Sequence, residues 1–188
     1  YGAFEKNKTV LKVIMPDSVE KMENAVFNEC ENLMEIRFSH SLKEIPAHTC
    51  SNCFALEKVI IPEGVTNIGD GAFNSGNVPM SYSEIKFPKT LKSIERDAFS
   101  NNDSVTKISL PDGLESIGTY AFEKNTSLVK VSFGDGITEL SEGVFSGDTI
   151  LKNISLPYGL KSIGKNVFAE NNSLEELYIP ETVEKSVM

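Results

Sequence analysis

Cys50, Ser51, Asn52 and Cys53 spell C-x-x-C, the spacing of a redox dithiol or of half a zinc site. His48 stands two residues before Cys50, and His40 is the only other histidine. A thiolate nucleophile needs an imidazole beside it and a third group to orient the ring. Residues 48 and 50 face different ways at a turn, so that pair is not expected to meet. Five Asn-x-Ser/Thr sequons begin at Asn7, Asn102, Asn125, Asn153 and Asn171. Gly69-Asp70-Gly71 and Gly134-Asp135-Gly136 read as turns rather than a phosphate cradle. Ile179-Pro180-Glu181-Thr182 shares letters with a sortase signal but lacks its Gly and a hydrophobic tail.

The elements that must position these groups come from a repeat. Phe4 and Phe27 are 23 residues apart; Cys50 holds the next slot and Phe73 the one after. Phe99 follows at 26, then Phe122, Phe145 and Phe168 at 23 each. One supersecondary unit stacked on copies of itself produces such a period. Six residues past each Phe slot comes an apolar residue, such as Leu33, Leu56 or Leu128; three further on stand Val13, Ile36, Val59, Ile85, Ile108, Val131, Ile154 and Leu177. Two beyond lies another apolar residue, and then Pro at Pro16, Pro62, Pro88, Pro111, Pro157 and Pro180. This alternation predicts a short strand with one face buried, closed by Pro because Pro removes a ladder donor. A Leu-x-x-Ile segment after the following turn forms the opposite wall. The Ala-Phe corner is expected to be one helical turn. Each coil pairs in parallel with the next at ~4.8 Å, and the Phe slots stack along the core.

The pattern resembles the BspA-like leucine-rich repeat over essentially the whole chain. Its clearest copy runs from Leu160, Ile163, Val167 and Phe168 through Asn171, Leu174, Leu177 and Ile179 to Pro180. The resemblance implies a curved right-handed superhelix, and secreted or cell-surface proteins that bind host proteins, matrix or other microbes. It also assigns the cysteines. Cys50 fills a Phe slot and points inward. Cys53 falls three later, in a phase shared with Asn7, Cys30, Asn102, Asn125, Asp148 and Asn171. That phase is the family's Asn/Cys ladder, whose side chains bond to backbone at a coil corner. Cys30 and Cys53 lie in adjacent coils, within disulfide reach at ~5 Å, but free buried thiols are favoured because ladder cysteines act as small apolar groups. Four of the sequons are ladder asparagines and poor acceptors; Asn153 is the exposed one.

With the cysteines in structural places and only two histidines, no zinc constellation remains, and no catalytic residue or cofactor is expected. Ligand binding then falls to the strand wall. One outward column runs Lys12, Glu35, Lys58, Glu84, Lys107, Lys130, Asn153, Glu176, and its signs alternate over the first five coils, which supports strand register. The next runs Ile14, Arg37, Ile60, Lys86, Ser109, Ser132, Ser155, Tyr178. Ile14, Arg37, Lys58, Ile60 and Lys86 place apolar and basic groups side by side, and form the candidate ligand face. Met80, in the insertion Asn77–Ser81, is a further candidate contact.

The 188 residues carry a net charge of −9, which argues against nucleic acid or anionic lipid as partner. No apolar run approaches the 18 residues of a membrane span. The expectation is a single domain of about eight 23-residue repeats over residues 1–188, cut from a longer protein. Its expected role is a non-enzymatic, extracellular or cell-surface adhesion module that binds a protein or glycan through its sheet face. The alternatives are a spacer, or the recognition arm of a surface enzyme whose catalytic domain lies elsewhere. End-to-end self-association is a further expectation, because open coil ends behave as unpaired edges do.

Overall fold

The computed structural model describes residues 1–76 and 81–186. Within them the chain winds as a parallel-strand solenoid. A first wall holds the three-residue strands Lys12–Ile14, Glu35–Arg37, Lys58–Ile60, Lys107–Ser109, Lys130–Ser132 and Asn153–Ser155. Single bridges Ile60–Lys86 and Glu84–Lys107 carry the wall across the coil after the insertion. The register is the repeat period: Val13 faces Ile36, Ile36 faces Val59, and Ile108 faces Val131. The central residue of each strand points inward and its two neighbours point out, as period-2 alternation requires. A second wall is built from two-residue strands centred on Ile45, Ile68, Ile94, Ile117, Leu140 and Ile163, also parallel.

The expected helical turn at the Ala-Phe corner is corrected: no described residue is helical. The corner is a third ladder instead. The Phe122 N–H donates to Val144 O, and the Tyr120 and Lys124 N–H groups donate to Glu142 O and Ser146 O. The same three donors serve the coil before, from Asp97, Phe99 and Asn101. A helix would turn those N–H groups back along its own chain. Here the residues two before and two after the Phe slot take the left-handed conformation, for example Tyr120 (φ 58°) and Lys124 (φ 55°), which rotates the donors toward the next coil. Gly71 and Gly143 occupy the corresponding place without steric cost.

The interior is one continuous apolar column. Phe73, Phe99, Phe122 and Phe145 are fully buried, with neighbouring rings 5.2–5.7 Å apart and near parallel. Phe87 and Phe133 from the first wall meet this stack edge-on. Cys50 interrupts it between Phe27 and Phe73, and Phe38 reaches the edge of Phe73 at 6.3 Å. Each coil alone leaves its apolar side bare, so stability comes from the contact between coils.

Candidate ligand face

The thiols take the places their repeat phase assigns. Cys30, Cys50 and Cys53 are all buried and free. Cys30 Sγ donates to Phe4 O at 3.0 Å and Cys53 Sγ to Phe27 O at 3.1 Å, each reaching back one coil. Burial pushes the Cys30 thiol up to about 11, and pushes Cys50 well above the ordinary thiol range. Such groups stay protonated at neutral pH and are poor nucleophiles. His48 is exposed at the corner, with its ring over Gly71 of the next coil, while Cys50 faces the core. His40 pairs instead with Asp17, Nδ1 to Oδ1 at 3.0 Å, on an exposed turn. Among the described residues no group of three or more His, Cys, Asp or Glu could hold a metal ion.

The asparagines of the ladder do the same work with more hydrogen bonds. Asn102 Nδ2 donates to Phe73 O, and the Asn102 N–H donates to Asn125 Oδ1. The Asn125 N–H likewise donates to Asp148 Oδ1, but Asn125 Nδ2 donates to Phe122 O of its own coil. The Tyr82 hydroxyl donates to Asn102 Oδ1 at 2.8 Å, and helps the corner where Gly76 supplies no side chain. Asn102 and Asn125 are buried and Asn7 and Asn171 half-buried, whereas Asn153 is exposed. Asp148 departs from the pattern: its Oδ2 is buried with no partner, and burial pushes its carboxyl well above the usual range.

The first wall is where chemistry reaches solvent. Ile14 (59% exposed) and Ile60 (44%) stand in register on either side of Arg37, on three adjacent strands. Large apolar side chains held out this way have no role in the core. Lys58 and Lys86 are exposed beside them. Lys12 and Glu35 form an ion pair at 2.8 Å, which accounts for the lowered Glu35 carboxyl. From Lys12 to Ser132 the charged outward residues of this wall are Lys12, Arg37, Lys58, Lys86, Lys107 and Lys130 against Glu35 and Glu84. Six cations against two carboxylates leave four net positive charges on a chain whose total is −9. The N-terminal cations were legible from the repeat phases. The net positive charge of the wall from Lys12 to Ser132 was not, because the alternating column hides it until both columns are counted together. Met80 lies outside the described residues.

The comparisons agree with this architecture. The BspA type leucine rich repeat region family matches residues 1–79 and 77–186, in six copies. A leucine-rich repeat protein of Bacteroides ovatus is similar at 29% identity and a TM-score of 0.69, over 99% of this chain and 42% of its own. The Treponema pallidum leucine-rich repeat protein matches at 24% identity and a TM-score of 0.79, over 93% and 86%. A leucine-rich cell surface protein of Faecalibacterium prausnitzii matches at 26% identity and a TM-score of 0.55, over 97% and 57%. The pneumococcal vaccine antigen PcpA shares 22% identity and a TM-score of 0.62, over 93% and 52%. The chain thus spans about half the length of several of the solved proteins it matches. No curated protein sequence matches it. With a repeat that governs every coil and a family match over nearly the whole length, this chain belongs to the BspA-type leucine-rich repeat family.

Proposed function

We propose that this chain is a secreted or cell-surface interaction module of the adhesion type, which grips a protein partner through the N-terminal half of its first wall. The observation that carries the reading is the outward pair Ile14 and Ile60 flanking Arg37, with Lys58 and Lys86 alongside. Apolar and guanidinium groups held on a rigid sheet are the usual anchors of protein recognition. Every strand centre is committed to the core, so outward substitutions change binding without unfolding the coil. The solenoid is right-handed in this reading, and residues 1–188 form one domain of about eight coils. The names of two solved relatives, a cell surface protein and a vaccine antigen, support a location outside the cell. Several relatives are about twice as long, which suits a recognition arm within a larger surface protein, and catalysis is not part of this segment's role.

The test is the triple substitution Arg37→Glu, Ile60→Glu and Lys86→Glu, with adhesion to immobilised matrix protein or host cells as readout. An unchanged circular dichroism melt shows that the fold survives. Adhesion falls in the variant if the patch is the contact; adhesion that persists at the wild-type level leaves the chain as a spacer.

A further inference from the structure

The two halves of the first wall differ in chemistry. Beyond Lys86 the column that carried Ile14, Arg37 and Ile60 becomes serine: Ser109, Ser132 and Ser155 lie in consecutive register. Ser132 Oγ sits 3.3 Å from Ser109 Oγ. In the neighbouring column Lys107 is directly opposite Lys130, and Lys130 directly opposite Asn153. Like charges placed directly opposite one another work against a sheet. Glu84 adjoins Lys107 on the other side, yet among the described residues neither lysine forms an ion pair. Folding therefore gains nothing from this pair. The row ends at Tyr178, 81% exposed, which lines an open groove of about 540 Å3 with Lys152, Asn153, Ser155, Ser173, Glu175 and Glu176.

Serine hydroxyls, an amide and two carboxylates offer both donors and acceptors to a polyol. A tyrosine ring offers a flat apolar face to sugar C–H groups and a polar edge to water. The large apolar anchors that mark the N-terminal half are absent from this outward row. A ligand that satisfies these groups is rich in hydroxyls at the Tyr178 end, where Glu175 and Glu176 stand, and carries its anionic charge toward Lys107 and Lys130. Strands repeat every ~4.8 Å, close to the advance per residue of an extended hexopyranose chain, so successive sugars can meet successive coils.

We propose that the C-terminal half of the first wall binds a linear acidic glycan: its carboxylate or sulfate groups lie against Lys107 and Lys130, and the following sugars over Ser132, Ser155, Asn153 and Tyr178. The proposal rests on the reading of this wall as an interaction face, and adds a second partner class on different residues. Charge complementarity selects the occupant, since the opposed amines gain a counter-charge only when the ligand arrives.

The test is isothermal titration calorimetry of the 188-residue chain with hyaluronan octasaccharide, heparin octasaccharide, maltooctaose and an octaglutamate peptide. One or both acidic saccharides bind, more weakly as salt rises. Binding of hyaluronan assigns carboxylate recognition; binding of heparin alone assigns sulfate. Lys107→Gln with Lys130→Gln weakens that binding by about tenfold or more, Tyr178→Ala weakens it by several fold, and maltooctaose and octaglutamate show no comparable heat. The Arg37, Ile60 and Lys86 triple variant binds the saccharide as wild type does, so failure of the adhesion patch and failure of this site are read separately. The proposal is overturned if neither acidic saccharide binds, if octaglutamate binds as tightly, or if the double glutamine variant retains wild-type affinity.

Discussion

Asp148→Asn should make this protein more stable at neutral pH, although it removes a charge and adds nothing in size. The carboxyl occupies the corner ladder, where the other coils place Asn or Cys and one places Gly76. At that place Asn102 Nδ2, Asn171 Nδ2, Cys30 Sγ and Cys53 Sγ each donate to the Phe-slot carbonyl of the coil before, at 2.7–3.1 Å. Asp148 accepts the Asn125 N–H through Oδ1 at 2.8 Å, but its Oδ2 has no partner and no contact with water. An ionised carboxylate has no proton to donate toward Phe122 O, the carbonyl that the repeat places there, and Asn125 Nδ2 from the same coil donates to that carbonyl instead. Burial raises its pKa first; Glu123 and Asp103 raise it further, against the Asn125 N–H, which lowers it. The folded pKa therefore lies above the unfolded one. Asp148 is tolerated below the ordinary carboxylate value of 3.8, and stability is lost as the pH climbs from there toward the raised folded value. Asparagine keeps the acceptor and supplies the missing donor. Removing a buried unsatisfied group is worth about 1–3 kcal/mol, and each kcal/mol moves the midpoint of a chain this size by roughly 2–4 °C. Thermal melts of wild type and variant at neutral pH should differ by that amount, in the variant's favour. Below the ordinary carboxylate pKa the gap should close. A variant that melts no higher at neutral pH, or that gains equally at both, would refute the reasoning.

The remaining predictions concern packing and reactivity. Phe122 is fully buried between Phe99 and Phe145 at 5.6 and 5.7 Å, so Phe122→Ala should cost about 3–5 kcal/mol in urea unfolding; a melt unchanged by the substitution means the ring is not in the core. Gly134 stands in the Pro slot, and a Cβ there would fall 2.2 Å from Asp112 Cα and 2.5 Å from its N. Backbone cannot step aside as a side chain can, so Gly134→Ala should destabilise by about 1–3 kcal/mol, and wild-type stability would show that the two coils are farther apart. Because all three thiols are buried and Cys30 is raised to about 11, native protein should react with Ellman's reagent at none of them and unfolded protein at three; a native count near three contradicts the ladder.

The parts of the fold that obey one local rule were legible in the sequence. Val59 and Ile108 lie between outward neighbours, so period-2 alternation reveals their strands without further help. Cys50 and Cys53 lost their redox reading once the period gave each a structural place, and both are buried as that place requires. The corner was misread because small-plus-Phe with polar flanks has the composition of a helical turn. The distinguishing signal was the left-handed residue two before the Phe slot, visible as Gly2, Gly71 and Gly143 but masked elsewhere by Ala25, His48 and Tyr120. Those residues accept φ > 0 because the inter-coil bonds fix them there, a tertiary cause that no single coil expresses. The lone oxygen of Asp148 was equally hidden: the phase placed the residue in the ladder, but the loss of a donor appears only against the carbonyl of the neighbouring coil.

The claim on which the functional account depends is that partners meet the first wall and not the second. Differential lysine acetylation of the chain, free and bound to the surface to which it adheres, reads both walls in one mass-spectrometric measurement. Lys58 and Lys86 lie on the first wall; Lys92 and Lys161 are exposed beside the strands of the second. The account predicts that Lys58 and Lys86 are protected on binding while Lys92 and Lys161 keep their free reactivity. Protection of Lys92 and Lys161 with Lys58 and Lys86 unchanged would contradict it.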